Sequence, residues 1–191
     1  ANFSVNVQGT LNVLRAAVDS GVRRLVFAST GGALIGDAAP PVNEQSLPKP
    51  ISPYGASKLC GEAYCHAFSS AYGLETVCLR FGNVYGPHSA HKKGAVTTFI
   101  KALMRDEPIV IYGDGSASRD YIHVEDLCAG IESALAVPVT GNEVRAARPP
   151  CYGSPKCCGI LPVSPTIPST SARRGRVRWR VISHPAPKHG K

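Results

Sequence analysis

Apolar residues recur at helical spacing near the start of the chain. Four of them follow one another in steps of four, three and four residues, which places them on one face of a helix. These residues are Val7, Leu11, Leu14 and Val18. The pattern predicts a packed helix over residues 6–20, with Gly21 as its stop.

Two short runs further along the chain are almost continuously apolar. Arg24-Leu-Val-Phe-Ala28 is typical of a strand buried on both faces of a parallel sheet, and residues 75–81 form a second such run. Between them, the proline-rich stretch 38–53 predicts a surface loop. Ser52 then caps a helix that carries Pro53 at its first position and ends at Tyr72, before Gly73.

The alternation of helix and strand continues to about residue 144. The pattern predicts a helix over 96–104, a strand over 109–112, a turn at Gly113-Asp-Gly115 and an amphipathic helix over 125–136. Helices that alternate with buried strands in this way predict an α/β fold built on a doubly wound parallel sheet.

Composition changes abruptly after Val144. Residues 145–191 hold eight prolines, ten basic residues and no acidic residue, whereas residues 1–144 hold 11 basic and 13 acidic residues. The second part has no periodic apolar segment with which to offset chain entropy. The sequence therefore predicts one domain over 1–144 and a disordered Pro/Arg-rich tail over 145–191. The change falls inside an apparent strand, which also suggests a shifted reading frame.

The formal charge of +8 belongs to that tail, so the domain itself gives no reason to expect a nucleic-acid partner. The tail offers only Tyr152 and Trp179 as stacking aromatics and no recognisable nucleic-acid motif. The alternative, a basic-tailed RNA-binding protein, predicts salt-sensitive binding that deletion of residues 145–191 abolishes.

Seven cysteines occur without a C-x-x-C pair, and four of them lie in apolar segments, where Cys acts as a small hydrophobe. We therefore expect neither a metal site nor a disulfide framework. No apolar run is long enough for a membrane span, and the first residues resemble neither a signal peptide nor an initiator methionine. These features favour a cytoplasmic protein with a truncated start.

Tyr54 and Lys58 are the strongest candidates for chemistry. Their spacing of four residues places them on the same face of the predicted helix. A phenol with a pKa of about 10 is a poor base at neutral pH, and an ammonium beside it favours the phenolate. The same pair also occurs as a solvated surface pair on ordinary amphipathic helices, so the spacing alone leaves both interpretations open.

Five blocks of sequence around this pair resemble, in order and spacing, the extended short-chain dehydrogenase/reductase family, and within it the UDP-sugar 4-epimerases. The blocks are Asn6-Val-Gln-Gly-Thr10, Ala28-Ser-Thr-Gly-Gly32, Tyr54-Gly-Ala-Ser-Lys58, Leu79-Arg-Phe-Gly-Asn-Val-Tyr-Gly-Pro87 and Arg119-Asp-Tyr-Ile-His-Val124. The resemblance implies a Rossmann domain that binds NAD and a smaller region that binds a nucleotide sugar. The chain would hold part of each and lack the N-terminal half of the Rossmann fold.

By this resemblance, Tyr54 removes the proton of the sugar 4-hydroxyl while Lys58 holds the nicotinamide ribose and lowers the tyrosine pKa. Hydride passes between the same sugar carbon and NAD, and the transient 4-keto sugar is reduced on its other face. Ser29 or Thr30 would hydrogen-bond the sugar oxygen. Thr30 is favoured, but Gly31-Gly32 lengthens this segment by one residue, so both hydroxyls, or neither if they only cap the turn, remain open.

The resemblance also implies binding residues, each of which has an ordinary alternative as a surface, turn or core residue. Cofactor contacts would come from Asn6, Ser29, Tyr54, Lys58 and Gly82. Substrate contacts would come from Asn83, Val96, Tyr112 and Arg119. Family members are commonly dimers, and the helix over 52–72 is a candidate for a homodimer face.

One departure from the family pattern concerns the cofactor. No G-x-x-G-x-x-G or G-x-G-x-x-G occurs in the chain, so the pyrophosphate of NAD lacks its helix N-terminus. We therefore predict that the isolated chain neither binds NAD tightly nor turns over substrate. A non-catalytic remnant of a truncated or frameshifted gene is the alternative.

A second departure concerns the reaction. Dehydratases of the family carry an acidic pair after the catalytic threonine, where this chain has glycines. That difference favours epimerisation over dehydration, with reductases of the family left open.

Overall fold

A computed structural model of the chain describes residues 2–38, 42–112, 118–146, 160–162 and 179–182. The chain divides into two compact units, each described by itself below. Unit 1 comprises Ala1–Val84 and Ile122–Cys158, and unit 2 comprises Tyr85–Tyr121 and Gly159–Lys191.

Five α-helices and eight strands follow an initial π-helical turn over Phe3–Gln8 in the described residues. The helices are α1 (Gly9–Asp19), α2 (Gly32–Ile35), α3 (Pro53–Tyr72), α4 (Ala95–Met104) and α5 (Val124–Ala136). The strands are β1 (Arg24–Thr30), β2 (Glu75–Phe81), β3 (Asn83–Tyr85), β4 (Ile109–Tyr112), β5 (Ser118–His123), β6 (Asn142–Ala146), β7 (Ile160–Pro162) and β8 (Trp179–Ile182).

Local signals mark three helix ends of unit 1 where the sequence predicts them, whereas the first helical segment begins at Phe3 and α2 was not predicted. The helical segment that ends with α1 is followed by Gly21 at φ +66°. The Ser52 hydroxyl accepts a hydrogen bond from the Gly55 amide at 3.1 Å and so caps α3, with Pro53 at the first helical position. Gly73, at φ +72°, ends α3 in the left-handed region that favours glycine.

The sheet of unit 1 is parallel, with the strand order β1-β2-β6. Ser29 pairs with Arg80 and Thr30 with Phe81, so β1 and β2 end side by side. Thr76 pairs with Asn142 across the next ladder, and its hydroxyl donates to the Asn142 side-chain oxygen at 2.6 Å. The pairing of Ser29 with Arg80 brings polar side chains together at the carboxyl ends of β1 and β2.

Helices cover both faces of this sheet. On one face α1 and α3 pack on a buried cluster, and on the other face α5 packs on a second one. The first cluster is Leu14, Ala17, Phe27, Cys65, Phe68, Leu74 and Cys78, and the second is Val77, Leu79, Ala134 and Val139. The fold is therefore the predicted doubly wound α/β arrangement.

Two cysteines lie fully buried in the first cluster. The hydrogen bond with Cys65, together with burial, raises the pKa of the Cys78 thiol above its ordinary value. Cys78 therefore stays protonated and packs as a small apolar side chain.

Two further sheets are small, one with the strand order β3-β5-β7 and one with the order β4-β8. β4 pairs in parallel with β8, and residues 118–120 of β5 pair antiparallel with β7. Strand β6 of unit 1 extends to Ala146, two residues beyond the predicted domain boundary. The predicted disordered tail thus includes the end of β6 and the short strands β7 and β8. Its other residues, like the predicted turn at 113–115, lie outside the described residues.

Candidate active site

Helix α3 holds Tyr54 and Lys58 beside the carboxyl end of β1. The Lys58 ammonium donates to the Ala28 carbonyl at 2.8 Å and lies 5.0 Å from the centroid of the Phe27 ring. Desolvation by partial burial lowers the pKa of Lys58 because it disfavours the charged form. Lys58 is therefore a partly buried cation that is held at the end of β1.

Tyr54 lies in the first turn of α3 and is 42% exposed. Its hydroxyl makes no hydrogen bond to any side chain that the structure describes. An exposed phenol one helical turn before Lys58 is suited to meet a ligand from outside.

The two hydroxyls at the end of β1 have different surroundings. Ser29 is 4% exposed, and its hydroxyl donates to Glu62 at 2.6 Å, so it points into the protein. Thr30 is partly exposed, and its hydroxyl has no hydrogen-bond partner within the described ranges. The Ser29 proton is engaged in the interior, which leaves Thr30 as the hydroxyl that a ligand can reach.

Two glycines let α3 approach its neighbours closely. A Cβ on Gly55 would lie 1.9 Å from the Ala33 carbonyl oxygen, and a Cβ on Gly61 would lie 2.4 Å from the Phe27 ring. Neither position has room for a larger side chain without movement of its neighbour. These contacts fix the distance of α3 from α2 and from β1, and with it the depth of Lys58.

Asn6 is brought to α3 through Ser57. The Asn6 amide donates to the Ser57 hydroxyl at 3.0 Å, and that hydroxyl donates to the Tyr54 carbonyl at 2.7 Å. The π-helical turn at 3–8 thus contacts the first turn of α3. Sequence reasoning missed Ser57, although its position between Tyr54 and Lys58 was a signal that could have found it.

Gly82 and Asn83 lie directly after β2, and both are exposed. The Gly31 amide donates to the Phe81 carbonyl at 2.8 Å, which joins the segment after β1 to the end of β2. The structure therefore brings Thr30 and Gly82 together at one edge of the sheet, near the start of α3.

The three remaining candidates belong to unit 2. Val96 is half-buried in the first turn of α4, and Arg119 is exposed on β5. Tyr112 ends β4, and its side chain lies outside the described residues. Unit 2 also has a cavity of about 580 Å³, lined by residues 86–90 and by α4, that includes neither Val96 nor Arg119.

The residues present fit one end of a nicotinamide dinucleotide. The Lys58 ammonium has three N–H groups and gives one to Ala28, so two remain for ribose hydroxyls. The pyrophosphate of the dinucleotide has no such site, because no glycine-rich turn occurs in the 191 residues.

Other classes of site find no support in the described ranges. Within residues 2–38, 42–112 and 118–146, no three side chains of His, Cys, Asp or Glu are grouped as metal ligands would be. A membrane-crossing helix is likewise absent from the part of the chain that the structure describes.

Known proteins resemble the chain in both sequence and structure. UDP-glucose 4-epimerase of Mycolicibacterium smegmatis is 39% identical over 127 residues, which are 65% of this chain and 41% of that protein. The solved UDP-glucose 4-epimerase of Thermotoga maritima, with UDP-glucose, is 37% identical with a TM-score of 0.70 and covers 75% of this chain and 47% of its own. The Thermus thermophilus UDP-glucose 4-epimerase complex with NAD is also 37% identical, has a TM-score of 0.68, and covers 76% of this chain and 49% of its own.

The chain thus spans about half the length of the relatives that it matches. A family model matches residues 1–146, which include unit 1 as described and the part of unit 2 that carries α4 and β5. The fold agrees with this match, since the parallel β1-β2-β6 sheet has helices on both faces. On these grounds the chain belongs to the NAD-dependent epimerase/dehydratase family.

Proposed function

We propose that this chain carries the catalytic side chains of a nucleotide-sugar 4-epimerase of the UDP-glucose/UDP-galactose type. The observation that carries the proposal is the setting of Tyr54 and Lys58 on α3. Tyr54 is exposed in the first turn, and Lys58 is fixed against Ala28 at the carboxyl end of β1. Ligands of open α/β sheets bind at this edge.

Each side chain has a role that its surroundings support. Tyr54 takes the proton of the sugar 4-hydroxyl, and the fixed Lys58 cation stabilises the phenolate that this requires. Thr30 donates a hydrogen bond to the same sugar oxygen, because Ser29 gives its proton to Glu62. Bound NAD would supply the hydride chemistry at the same carbon, and Tyr54 would return the proton to the sugar oxygen when the 4-keto sugar is reduced on its opposite face.

The residues after Thr30 favour epimerisation over loss of water. Elimination from a neighbouring carbon needs a positioned acid or base, and the positions directly after Thr30 are Gly31 and Gly32, which have no side chain. A dehydratase or a reductase of the same family is the second candidate.

The substrate residues are assigned by family position. Asn83 and Arg119 would contact the diphosphate, to which a forked guanidinium is suited, and Val96 and Tyr112 would line the uracil site. Asn6 and Gly82 would lie near the nicotinamide, together with Tyr54 and Lys58.

The 191 residues alone are expected to bind NAD weakly and to be inactive, because they contain no glycine-rich turn to hold the pyrophosphate. Calorimetric titration with NAD measures this directly. A micromolar dissociation constant for the isolated chain would contradict the expectation.

Fusion of the chain to a segment that can hold the pyrophosphate of NAD tests the catalytic assignment. A Rossmann-type strand, glycine-rich turn and helix would be joined before Ala1, and NAD binding would be verified first. We expect conversion of UDP-galactose to UDP-glucose, reduced at least about 10³-fold by Tyr54→Phe, which removes the base and keeps the ring. A fusion that binds NAD but leaves UDP-galactose unchanged would sink the proposed function.

A further inference from the structure

A buried ion pair lies directly behind the candidate active site. The Glu62 carboxylate accepts hydrogen bonds from Arg80 through Nε at 3.0 Å and through Nη2 at 2.8 Å. Its Oε1 also accepts from the Ser29 hydroxyl at 2.6 Å. The side chains of Glu62 and Arg80 are only 6% and 8% exposed, so both charges are removed from solvent.

The geometry of this pair is restrictive. Two parallel N–H···O bonds between a guanidinium and a carboxylate fix the plane as well as the distance of the two groups. The hydrogen bond with Glu62 raises the pKa of the Arg80 guanidinium, so Arg80 remains charged. Replacing a buried ion pair by apolar residues is often neutral or stabilising, and in some proteins such a pair serves to fix one conformation.

Each member of the cluster lies close to a candidate site residue. Ser29 immediately precedes Thr30 on β1, and Arg80 pairs with Ser29 across the sheet, two residues before Gly82. Glu62 lies one turn after Lys58 on α3, so the same helix face presents both side chains towards the end of β1. The cluster thus ties together the three elements that carry the site.

The cluster also reaches the loop that precedes α3. Arg80 Nη1 donates to the Glu44 carbonyl at 3.3 Å, and the Glu44 carboxylate accepts from the Ala146 amide at 3.0 Å. A shift of Arg80 would therefore be transmitted to the loop as well as to both strands. Glu62 itself contacts only interior groups in these bonds, so it acts through its neighbours.

We propose that Glu62, held by Arg80 and Ser29, is the positioning residue that sets Thr30 and Lys58 in register for the reaction. This inference rests on the proposed function for the reaction that it serves. The contacts of Glu62 with Ser29 and Arg80 do not depend on the proposed function.

The first experiment follows the Lys58 amine and needs no turnover. The full chain would be labelled with lysine carrying ¹³C at Cε, whose chemical shift reports protonation, and Lys58→Arg would assign the signal. We expect Ser29→Ala to move the Lys58 titration midpoint up towards the ordinary lysine value, because the loosened helix lets water reach the amine. Ser69→Ala, which removes another buried hydroxyl of α3, should leave the midpoint unchanged.

A double variant separates positioning from stability. Glu62→Leu with Arg80→Met replaces both charges by apolar side chains, an exchange that is often neutral for folding. We expect a urea midpoint close to that of the wild type and the same upward movement of the Lys58 titration. If this variant does not fold, the Lys58 titration in Ser29→Ala tests the positioning role on its own, since that substitution leaves the Glu62–Arg80 pair intact.

The second experiment measures kinetics in the fusion described above. Ser29→Ala should lower kcat about tenfold and leave KM within about twofold, the pattern of an interaction that acts in the transition state. An unchanged Lys58 midpoint in Ser29→Ala, or an unchanged kcat, would overturn the positioning role. Absence of activity in the wild-type fusion would count against the proposed function alone, and the titration would then decide.

Discussion

Lys58 is held by two surfaces of different character. The Ala28 carbonyl accepts one of its N–H groups, and the face of the Phe27 ring lies below the ammonium. The ring is itself 8% exposed and packs against Gly61, which has no side chain to push it away. The position of this cation therefore depends on a glycine three residues further along the same helix.

Gly61→Ala should destabilise unit 1 by about 1–3 kcal/mol, because its Cβ would lie 2.4 Å from the Phe27 ring. Urea denaturation followed by circular dichroism measures the change. Gly130→Ala in α5 is the matched control, since nothing lies within 4 Å of its Cβ. The control should stabilise by about 0.5–1 kcal/mol, as alanine does in a helix interior. Equal effects of the two substitutions would refute the steric argument.

The spacing of Tyr54 and Lys58, together with the family blocks around them, makes them candidates, but the sequence does not decide between Ser29 and Thr30. Adjacent residues of a strand point to opposite faces, so one of the two had to face inward, and only the contact with Glu62 shows which one. Arg80 was a usable signal, since a charge inside a buried strand needs a partner. Nothing local to Glu62 indicates that it is that partner.

Helix α3 is the element on which the site depends, and its first turn is fixed by side-chain capping. Ser52 satisfies the Gly55 amide, while Pro53 supplies a backbone angle suited to the first helical position. Tyr54 lies within this turn, so fraying of the helix start would move the phenol directly.

Ser52→Ala should lower the free energy of unfolding by about 1 kcal/mol, because the Gly55 amide loses its acceptor. Activity of the fusion should fall further than this loss explains, through disorder of Tyr54. Ser70→Ala, at an exposed position in the last turn of α3, is the control and should be nearly neutral. The capping argument fails if both variants unfold at the same urea concentration.

Element ends were predictable wherever a local signal marks them, as at Ser52, Gly21 and Gly73. The end of β6 was not, because Arg145 and Ala146 belong by composition to the basic tail. They continue the strand since β2 offers them partners in Leu79 and Arg80. Long-range pairing overrides composition there, and a sequence read residue by residue does not contain that information.

For unit 1 as a whole, Arg24 joins segments that are far apart in the sequence. Its side chain is 6% exposed, and its guanidinium bonds Glu75 at the start of β2 and donates to carbonyls at the end of α5. Nη1 reaches the carbonyls of Ala134, Leu135 and Val137. A cation at the C-terminal end of a helix also interacts favourably with the helix dipole.

Arg24→Lys should lower the free energy of unfolding by about 2 kcal/mol. The single ammonium of lysine cannot bond both the Glu75 carboxylate and the carbonyls at the end of α5, as the forked guanidinium does. Arg23→Lys is the matched control. Arg23 is 79% exposed and lies 3.7 Å from the same carboxylate, so the exchange should be nearly neutral. The prediction would be contradicted if the two variants unfolded at the same urea concentration.

The parallel sheet has a consequence for synthesis on the ribosome. β2 can pair with β1 as soon as both have emerged, but the Asn142 that Thr76 bonds lies 66 residues later. At about 5–20 residues per second, one edge of β2 stays unpaired for several seconds. An unpaired strand edge is a template for another chain. The nascent protein is therefore most exposed to aggregation in the interval before β6 arrives, and that is when we expect a chaperone to be needed.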